Sequence, residues 1–541
     1  MEYNLADLFE SIADTVPGRE ALVYLDHPGT GRERRLGYAG LDEAANRIGH
    51  HLLDSGIGPG EHVGLHLYNG VEYLQTVLAC LKIRAVPVNV NYRYTEEELV
   101  HLYRDADLAA LVFDAEFDER VAAAVPRTDT LRHLLRVGGG DGPGPASAVP
   151  FAEAEAAGSA ARGFAPRSAD DRFIIYTGGT TGLPKGVMWR QEDLFFSGLG
   201  GGAPSGEPIG RPEELAERVA AGGEGLVFFP APPLMHGTST LTTFVALHYG
   251  QKVVLHRKFT PEEVLRTVEK ERVTSLSLVG DAMLRPLIDA LSGPLKDIDR
   301  SSLITVSSSG AILSDTVRTR FAELVPHAML LNNFGSSESG FNGTATEDSG
   351  PEKGFRLRVN TRTTVVDPVT LEPAAPGVPG RLAQHGHVPL GYYNDPKKTA
   401  ETFFAARGER WVLLGDMATV DEDGVVTVLG RGSQCINTGG EKVYPEEVEQ
   451  ALKAHPDVYD ALVAGVPDER WGNRVAAVVQ PRDGVTSLTA DAVREHCRTR
   501  LAGYKIPRTV VFTDRIQRSP SGKADYRWAR ATAAATTTTD A

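Results

Sequence analysis

The sequence is poor in cysteine and in long apolar runs. Its 541 residues include three cysteines, Cys80, Cys435 and Cys497, and no two of them have CxxC spacing. A disulfide framework is therefore not expected, and a cytoplasmic location fits. No charge-free apolar run reaches the roughly 18 residues of a membrane-spanning helix. The N-terminus carries acidic residues early, unlike a signal peptide.

The sequence also lacks an excess of basic residues. Asp and Glu outnumber Lys and Arg by 71 to 56, which gives a formal net charge of −15. Nucleic acid is therefore not expected as a partner, because phosphate contacts along a nucleic acid need clustered Lys and Arg. A small anionic ligand and peripheral contact with a membrane both stay open.

What is present is the composition and alternation of an α/β protein. Hydrophobic residues make up 41% and charged residues 23%, and the chain is too long for one ordinary core. Strand-like and helical patterns alternate at Glu61–Tyr68, Gly70–Lys82, Ala85–Val90, Thr95–Asp105 and Leu108–Phe113. This alternation predicts a large N-terminal domain of helix-covered, largely parallel sheets, residues 1–432.

The pattern changes in the last hundred residues. Tyr444–His455 has helical spacing with acids in its first turn, and strand-like runs follow at Val458–Val466 and Val475–Gln480. We predict a small α+β C-terminal domain at 433–530 and a disordered, low-complexity tail at 531–541. An irregular stretch within the large domain, 198–210, is predicted to be an exposed insertion.

A glycine-rich segment, Tyr176–Gly186, follows a short predicted strand and reads YTGGTTGLPKG. Glycines let the backbone approach a ligand closely, while the Thr177, Thr180 and Thr181 hydroxyls and the Lys185 charge suit a polyphosphate. By itself the segment fits a surface turn equally well. It lacks the Gly-Lys-Ser/Thr signature of the P-loop.

Further short motifs follow in a fixed order. They are SSSGA at Ser307–Ala311, NFGSSE at Asn333–Glu338, Gly415-Asp416, Gly430-Arg431, GEKVYPEEVE at Gly440–Glu449 and SPSGK at Ser519–Lys523. Together with the glycine-rich segment, this set resembles the adenylate-forming superfamily of acyl- and aryl-CoA synthetases, nonribosomal adenylation domains and beetle luciferases. The amino-acid sequence around GGTTGLPKGVMW is most similar to that of actinobacterial fatty-acid and steroid-side-chain CoA ligases.

The resemblance implies a binding site for ATP and AMP. Phe334 would stack on adenine beside Asn333, Asp416 would bind the ribose hydroxyls, and Arg431 would assist at the ribose or α-phosphate. Glu338 would hold Mg²⁺, a hard ion that prefers carboxylate and phosphate oxygens. The other implied nucleotide contacts are Thr177, Gly179, Thr180, Thr181, Gly182, Lys185, Ser309, Gly310, Ala311, Gly335 and Ser337.

The resemblance also implies two half-reactions. Lys523 would bridge the substrate carboxylate and the α-phosphate as pyrophosphate leaves. The small domain would be mobile, would pivot at Ser433, and would then present Gly439, Gly440 and Glu441 for transfer of the acyl group to coenzyme A. His236 would line and gate the acyl site, and the substrate would be a hydrophobic carboxylic acid.

Departures from the family pattern occur at three places. Gly178 replaces a hydroxyl residue, Ser433 replaces the usual Asp or Lys at the hinge, and Arg381 follows Gly380 where relatives have Glu. A homodimer is compatible with the sequence.

Three alternatives to a CoA ligase stay open. The enzyme could load a carrier protein, or the chain could bind a nucleotide without catalysis. A serine hydrolase would need GxSxG, which fails around Ser337 because Ser339 occupies the second glycine position. His385 and His387 suggest a metal only weakly, since two ligands without carboxylate partners are too few.

Overall fold

A computed structural model describes most of the chain. It covers residues 1–26, 33–139, 144–177, 184–203, 206–223, 225–311, 313–349, 355–438, 441–468, 472–518 and 522–537. We use "large domain" for residues 1–432 and "small domain" for the described residues from 433 on, following the division predicted above. Within these ranges, no helix is long and apolar enough to cross a membrane.

The described residues contain sixteen α-helices. They are α1 (Leu5–Thr15), α2 (Tyr38–Asp54), α3 (Val71–Lys82), α4 (Glu96–Asp105), α5 (Asp118–Ala124), α6 (Phe151–Ala157), α7 (Gln191–Gly198), α8 (Glu213–Ala221), α9 (Gly237–His248), α10 (Pro261–Glu271), α11 (Gly280–Ser292), α12 (Asp315–Leu324), α13 (Pro396–Thr402), α14 (Pro445–Lys453), α15 (Ala490–Arg498) and α16 (Tyr526–Thr537).

The described residues also contain twenty-seven strands. They are β1 (Glu20–Leu25), β2 (Glu33–Gly37), β3 (His62–His66), β4 (Val86–Asn89), β5 (Leu108–Asp114), β6 (His133–Val137), β7 (Val149–Pro150), β8 (Arg172–Thr177), β9 (Lys185–Arg190), β10 (Val227–Pro230), β11 (Lys252–His256), β12 (Ser275–Leu278), β13 (Thr305–Ser308), β14 (Met329–Ser336), β15 (Gly340–Ala345), β16 (Phe355–Val359), β17 (Thr363–Val366), β18 (Gly380–His385), β19 (Gly391–Tyr392), β20 (Phe403–Ala406), β21 (Glu409–Val420), β22 (Val426–Arg431), β23 (Ile436–Thr438), β24 (Glu441–Val443), β25 (Val458–Asp468), β26 (Gly472–Pro481) and β27 (Thr509–Phe512).

Local sequence signals explain several of these boundaries. At the start of α4, Thr95 and Glu98 form a capping box, in which each side chain satisfies a backbone N–H of the first turn. α14 begins with Pro445, followed by Glu446 and Glu447, and ends at Lys453. This order places negative charge at the positive end of the helix dipole and positive charge at its negative end.

The strands pair into three sheets within the described ranges. An eight-stranded sheet has the order β19-β9-β8-β4-β3-β5-β6-β7, and its central pairs are parallel. A fourteen-stranded sheet has the order β17-β18-β21-β22-β16-β15-β14-β13-β12-β10-β11-β1-β2, with β20 paired to β21. The small domain has a five-stranded sheet, β24-β23-β26-β25 with β27 paired to β26. The α/β fold class predicted from the sequence is confirmed.

The main core of the large domain lies where helices α1, α2, α3 and α9 cover these sheets. Its members include Phe9, Tyr38, Leu74 and Phe244, each at most 1% exposed. Burial of such large apolar side chains is the main stabilising contribution to folding. The core also fixes the mutual position of the two large sheets, whose strand ends form the candidate site.

Two predictions about irregular segments were wrong in part. Residues 531–537 continue helix α16, and Ala529 and Ala533 are fully buried against the small-domain sheet, so this part of the predicted tail is ordered. Residues 538–541 lie outside the described residues. In the stretch predicted as an exposed insertion, Gly201 and Ile209 are buried.

Candidate active site

The candidate site collects at the carboxyl ends of parallel strands, where open α/β sheets usually bind ligands. β4 ends at Asn89, β8 at Thr177, and β13 at Ser308, directly before Ser309 and Gly310. Asn89 ties two of these segments together. Its side-chain amide donates to the carbonyl of Tyr176 at 2.9 Å and to that of Met235 at 2.7 Å.

The glycine-rich segment begins on a firmly held strand. The Tyr176 backbone N–H donates to Asn89 Oδ1 at 2.7 Å, and its hydroxyl donates to Asp105 at 2.7 Å. Thr177 is half-buried at the end of β8. Gly179, Thr180, Thr181 and Gly182 lie outside the described residues, so their predicted phosphate contacts stay predictions.

Lys185 lies at the start of β9, opposite Thr177 in the antiparallel register. Its ammonium group forms an ion pair with Asp395 and lies 5.8 Å from the centre of the Tyr392 ring. The hydrogen bond from Lys185 lowers the pKa of Asp395 below its usual value, and the Lys398 backbone N–H adds to this effect. The cation predicted for the outer phosphates is therefore fixed beside an aromatic ring.

Glu338 contacts the hydroxyl group of the same tyrosine. The Tyr392 hydroxyl donates to Glu338 Oε1 at 3.0 Å. The structure thus brings Lys185 and Glu338 together through Tyr392, which comes from a segment more than fifty residues downstream. Sequence reasoning missed Tyr392, because a lone tyrosine after a glycine carries no signal of its own.

The NFGSSE motif lies where strand pairing in the fourteen-stranded sheet changes from parallel to antiparallel. β14 pairs in parallel with β13 along its first half and antiparallel with β15 along its second half. Asn333 Oδ1 accepts from the Thr344 hydroxyl at 2.8 Å, and the Ser337 carbonyl accepts from Trp189 Nε1 at 3.0 Å. The half-buried Phe334 ring packs against the core cluster of this sheet, and its role at adenine stays a prediction.

A buried network of polar side chains holds the segment that directly follows the NFGSSE motif. The Ser339 carbonyl accepts from Ser197 Oγ at 2.7 Å and from Gln384 Nε2 at 2.8 Å. Asn342 Nδ2 donates to Gln384 Oε1 at 2.7 Å. All four residues are at most 1% exposed, and buried polar groups that are fully bonded in this way make a loop rigid. Sequence reasoning missed this network.

Lys523 reaches the same region from the small domain. Gly310 has a φ of +77°, and a Cβ added to it would lie 3.8 Å from Thr238 Oγ1 and 3.9 Å from Lys523 Cε. Ser309 Oγ donates to Thr238 Oγ1 at 3.3 Å. Ala311 packs against the core cluster below these residues. Two predicted motifs that are about two hundred residues apart in sequence are therefore adjacent in space.

His236 lies beside them, directly before helix α9. The residue is partly buried, and its buried Nε2 has no hydrogen-bond partner among the described residues. Burial first, then the positive charges of Lys523 and Arg93, lower the pKa of His236 to about 3. A neutral imidazole of such low basicity cannot serve as a general base near pH 7, in agreement with a lining role.

Asp416 and Arg431 occupy directly opposed positions on β21 and β22. Asp416 is 8% exposed, and Arg381 donates to the Leu414 carbonyl nearby at 2.8 Å. The side chains of Arg431 and Ser433 lie outside what the structure describes, as do residues Gly439 and Gly440. Glu441 opens β24 and is exposed. The roles predicted for all five residues stay predictions.

The residues present fit a Mg²⁺–nucleotide complex. Mg²⁺ in phosphate-handling enzymes is held by one or two carboxylates plus the phosphates themselves. The described residues contain no cluster of three metal-ligating side chains, and Glu338 supplies one carboxylate near Lys185. His387 and His385 face different carboxylates, Asp193 and Glu409, each at 2.8 Å, and do not form a joint site.

Comparison with known families agrees with this arrangement. Residues 9–393 match the family model of the AMP-binding enzymes, and residues 447–523 match that of the AMP-binding enzyme C-terminal domain.

Named relatives cover nearly the whole chain. The medium/long-chain-fatty-acid–CoA/3-oxocholest-4-en-26-oate–CoA ligase of Mycolicibacterium smegmatis is 44% identical, over 98% of this chain and 96% of the relative. The 3-oxocholest-4-en-26-oate–CoA ligase of Rhodococcus rhodochrous is also 44% identical, with the same coverage.

Solved structures give a similar result. ATP-bound MatB from Rhodopseudomonas palustris is 27% identical, with a TM-score of 0.81 over 98% of this chain and 99% of that one. The anthranilate CoA ligase AuaEII in complex with anthranoyl-AMP has a TM-score of 0.83 at 21% identity, over 99% and 98% of the two chains, and shows the shared fold.

Proposed function

The chain belongs to the family of AMP-binding enzymes, and from this premise we propose that it is an AMP-forming acid–thiol ligase. A carboxylic acid and ATP give an acyl-adenylate and pyrophosphate. The thiol of coenzyme A then attacks the acyl carbon, loses its proton, and displaces AMP. The observation that carries this proposal is the approach of Lys523 to Gly310, which puts a cation of the small domain at the strand ends.

In the first half-reaction, Lys523 binds the carboxylate and the α-phosphate together. A fixed ammonium group at this point offsets the charge that develops as pyrophosphate leaves. Glu338 would hold Mg²⁺, which would neutralise phosphate charge, and Tyr392 orients this carboxylate through its hydroxyl. Lys185 binds the outer phosphates from the same side.

The nucleoside is held by the second set of residues. We propose that Phe334 and Asn333 receive the adenine, and that Asp416 and Arg431 bind the ribose. The opposed positions of Asp416 and Arg431 on β21 and β22 support a shared role at the ribose. Thr177, Ser309, Gly310, Ala311, Gly335 and Ser337 complete the proposed nucleotide contacts.

The second half-reaction uses a different orientation of the small domain. We place the boundary at 432/433, with Ser433 as the pivot and Gly439, Gly440 and Glu441 near the thiol arm of coenzyme A. β22 ends at Arg431 and a short helical turn, Gly432–Gln434, follows it directly. A change of backbone angles within this turn would rotate the small domain as one unit.

The acid is proposed to be hydrophobic, of the medium- to long-chain fatty or steroid-side-chain class. The names of relatives that are 44% identical support this class.

The setting of the enzyme is proposed to be the cytoplasm. Cys80, Cys435 and Cys497 are not joined by a disulfide, as expected for thiols in a reducing compartment. A homodimer and peripheral contact with membranes are further proposals. Light scattering of the purified protein and its sedimentation with anionic vesicles would test them.

The decisive experiment is a panel of carboxylic acids with ATP, Mg²⁺ and coenzyme A, scored for AMP and acyl-CoA. Long fatty acids, a steroid-side-chain acid and acetate span the range of hydrophobicity. AMP formation with the apolar acids and not with acetate is expected. A holo-carrier protein offered in place of coenzyme A tests the alternative acceptor, and its faster acylation would contradict the CoA assignment.

A further inference from the structure

A buried row of alternating charges crosses from the large domain to the loop that carries Lys523. We call Asp281, Lys453, Asp460 and Arg518 the interdomain charge row. Lys453 Nζ lies 3.8 Å from Asp281 Oδ2, in the large domain, and 3.4 Å from Asp460 Oδ1, in the small domain. Arg518 donates to both oxygens of Asp460, at 2.7 Å each.

The row ends next to the candidate catalytic lysine. Arg518 Nη1 donates to the carbonyl of Gly522 at 3.2 Å, and Arg518 pairs with Ala524 in an antiparallel bridge. Gly522 has a φ of +75°, and a Cβ added to it would lie 3.2 Å from Ala282 Cβ. Gly522, directly before Lys523, is therefore bonded to Arg518 and lies close to Ala282 of helix α11.

The large-domain end of the row is equally well anchored. Asp281 Oδ1 accepts from the Ser314 backbone N–H at 2.8 Å, and Arg285 lies 3.3 Å from its Oδ2. Thr316 also donates to the carbonyl of Lys453 at 3.0 Å. The Arg285 guanidinium lies 4.8 Å from the centre of the Tyr459 ring across the same interface.

Burial makes these pairs dependent on one another. Lys453 is 1% exposed and Asp281 is 4% exposed, so neither charge is compensated by water. Burial alone would raise the pKa of Asp460, but the charges of Lys453 and Arg518 hold it well below its usual range. When the small domain turns away, Lys453 keeps Asp460 and Asp281 keeps Arg285, but the contact between Lys453 and Asp281 is lost. This contact therefore belongs to one orientation of the two domains.

From these contacts we propose that the interdomain charge row positions Lys523 for adenylation and is not used in thiol transfer. The proposal rests on the proposed function, in which the small domain has one orientation for each half-reaction. None of its four members is among the proposed substrate and nucleotide contacts, and they act on Lys523 through the bond from Arg518 to the Gly522 carbonyl. They are positioning residues, and they link the orientation of the domain to the placement of one ammonium group.

The test compares the two half-reactions in the full-length enzyme with Lys453→Met. This change removes the charge and keeps most of the packing volume. Pyrophosphate exchange is expected to lose about tenfold or more in kcat, with the KM for ATP unchanged, because Lys453 makes no nucleotide contact. Thioester formation from supplied acyl-AMP is expected to stay within about twofold. The matched control is Lys505→Met, which removes a more exposed small-domain ion pair with Glu447.

A second variant approaches the row from the other domain. Asp281→Asn leaves every small-domain residue intact, and it should reproduce the selective loss of pyrophosphate exchange. The double variant Asp281→Asn/Lys453→Met should be no slower than the slower single variant, because the two charges act on each other. Equal losses in both half-reactions, or no loss in either, would overturn the proposal.

Hydrogen exchange supplies a readout that needs no substrate. In Lys453→Met the Val279–Ala282 segment should exchange faster than in the wild type, while Lys505→Met leaves it unchanged. Unchanged exchange in Lys453→Met would contradict the positioning role even if no acid were turned over. A wild-type enzyme that forms no AMP with any acid would instead overturn the proposed function alone.

Discussion

The two lysines of the candidate site are positioned in opposite ways. Lys185 is part of a hairpin with Thr177, and its partner Asp395 belongs to the same domain. Lys523 reaches Gly310 from the other domain, at the end of a row of buried charges. The first depends on local backbone geometry, and the second depends on how two domains meet. Substitutions of Lys185 should therefore change mainly the binding of the nucleotide. Substitutions of Lys523 should change mainly the rate of the half-reaction that needs the described orientation of the two domains.

The largest effect is expected for Lys523→Ala. Pyrophosphate exchange should fall at least about a hundredfold, because a fixed charge at the reacting centre is lost. Thioester formation from supplied acyl-AMP should persist, since the activated carbonyl no longer needs this cation. Rapid-quench assays of the isolated half-reactions measure both quantities. An equal loss in pyrophosphate exchange and in thioester formation would show that Lys523 does not act selectively in adenylation.

A somewhat smaller loss is expected for Glu338→Gln. The change keeps the shape of the side chain and removes the charge proposed to hold Mg²⁺, so adenylation should fall about tenfold or more and need more Mg²⁺. Tyr392→Phe is the matched control, because it removes only the hydroxyl that donates to Glu338. The control should lose less than about threefold. If its loss equalled that of Glu338→Gln, the metal role of Glu338 would be wrong.

Lys185→Met should act mainly on nucleotide affinity. The KM for ATP should rise by up to about fivefold, since a half-exposed ionic contact contributes at most about 1 kcal/mol. The kcat for adenylation should change little, in contrast to Lys523→Ala. Asp395→Asn should move the KM in the opposite direction, because it removes the carboxylate that competes with phosphate for Lys185. Initial rates over a range of ATP concentrations decide this point.

The smallest effect concerns His236 and pH. Its pKa of about 3 in the folded protein lies below that of an unfolded histidine, so the unfolded state binds the proton first as the pH falls. Stability is therefore lost between the unfolded pKa, about 6.5, and the folded value. His236→Gln should show a smaller drop in Tm on acidification over that window. The shape of its pH–rate profile near neutrality should match that of the wild type.

Local features of the fold could be read from the sequence. Alternation of strand and helix patterns predicted β3, α3, β4, α4 and β5 to within a few residues, because period and capping are encoded locally. Residues 531–537 of the tail were predicted wrongly for the same reason. A run of Ala and Thr reads as disordered until a sheet is present for Ala529 and Ala533 to pack against.

Residues of the candidate site could be predicted only where they belong to a recognisable sequence motif. Glu338 and Lys523 carried such signals, and the structure places Glu338 beside Lys185 and Lys523 beside Gly310. Tyr392 and Asp281 carried none, since their roles follow from contacts made across long sequence separations. Single polar residues of this kind are indistinguishable from surface residues until the tertiary structure is known.

The interdomain charge row also limits how domains can be exchanged between related enzymes. A hybrid that takes its small domain from a relative brings a new residue to position 453, while Asp281 stays with the old large domain. Unless both members of the pair are transferred together, the hybrid loses the contact between the two domains, and Asp281 is left to pair with Arg285 inside its own domain. In enzyme engineering, the unit that can be recombined with a single crossover is therefore the chain from Val279 onward, which carries both Asp281 and Lys453.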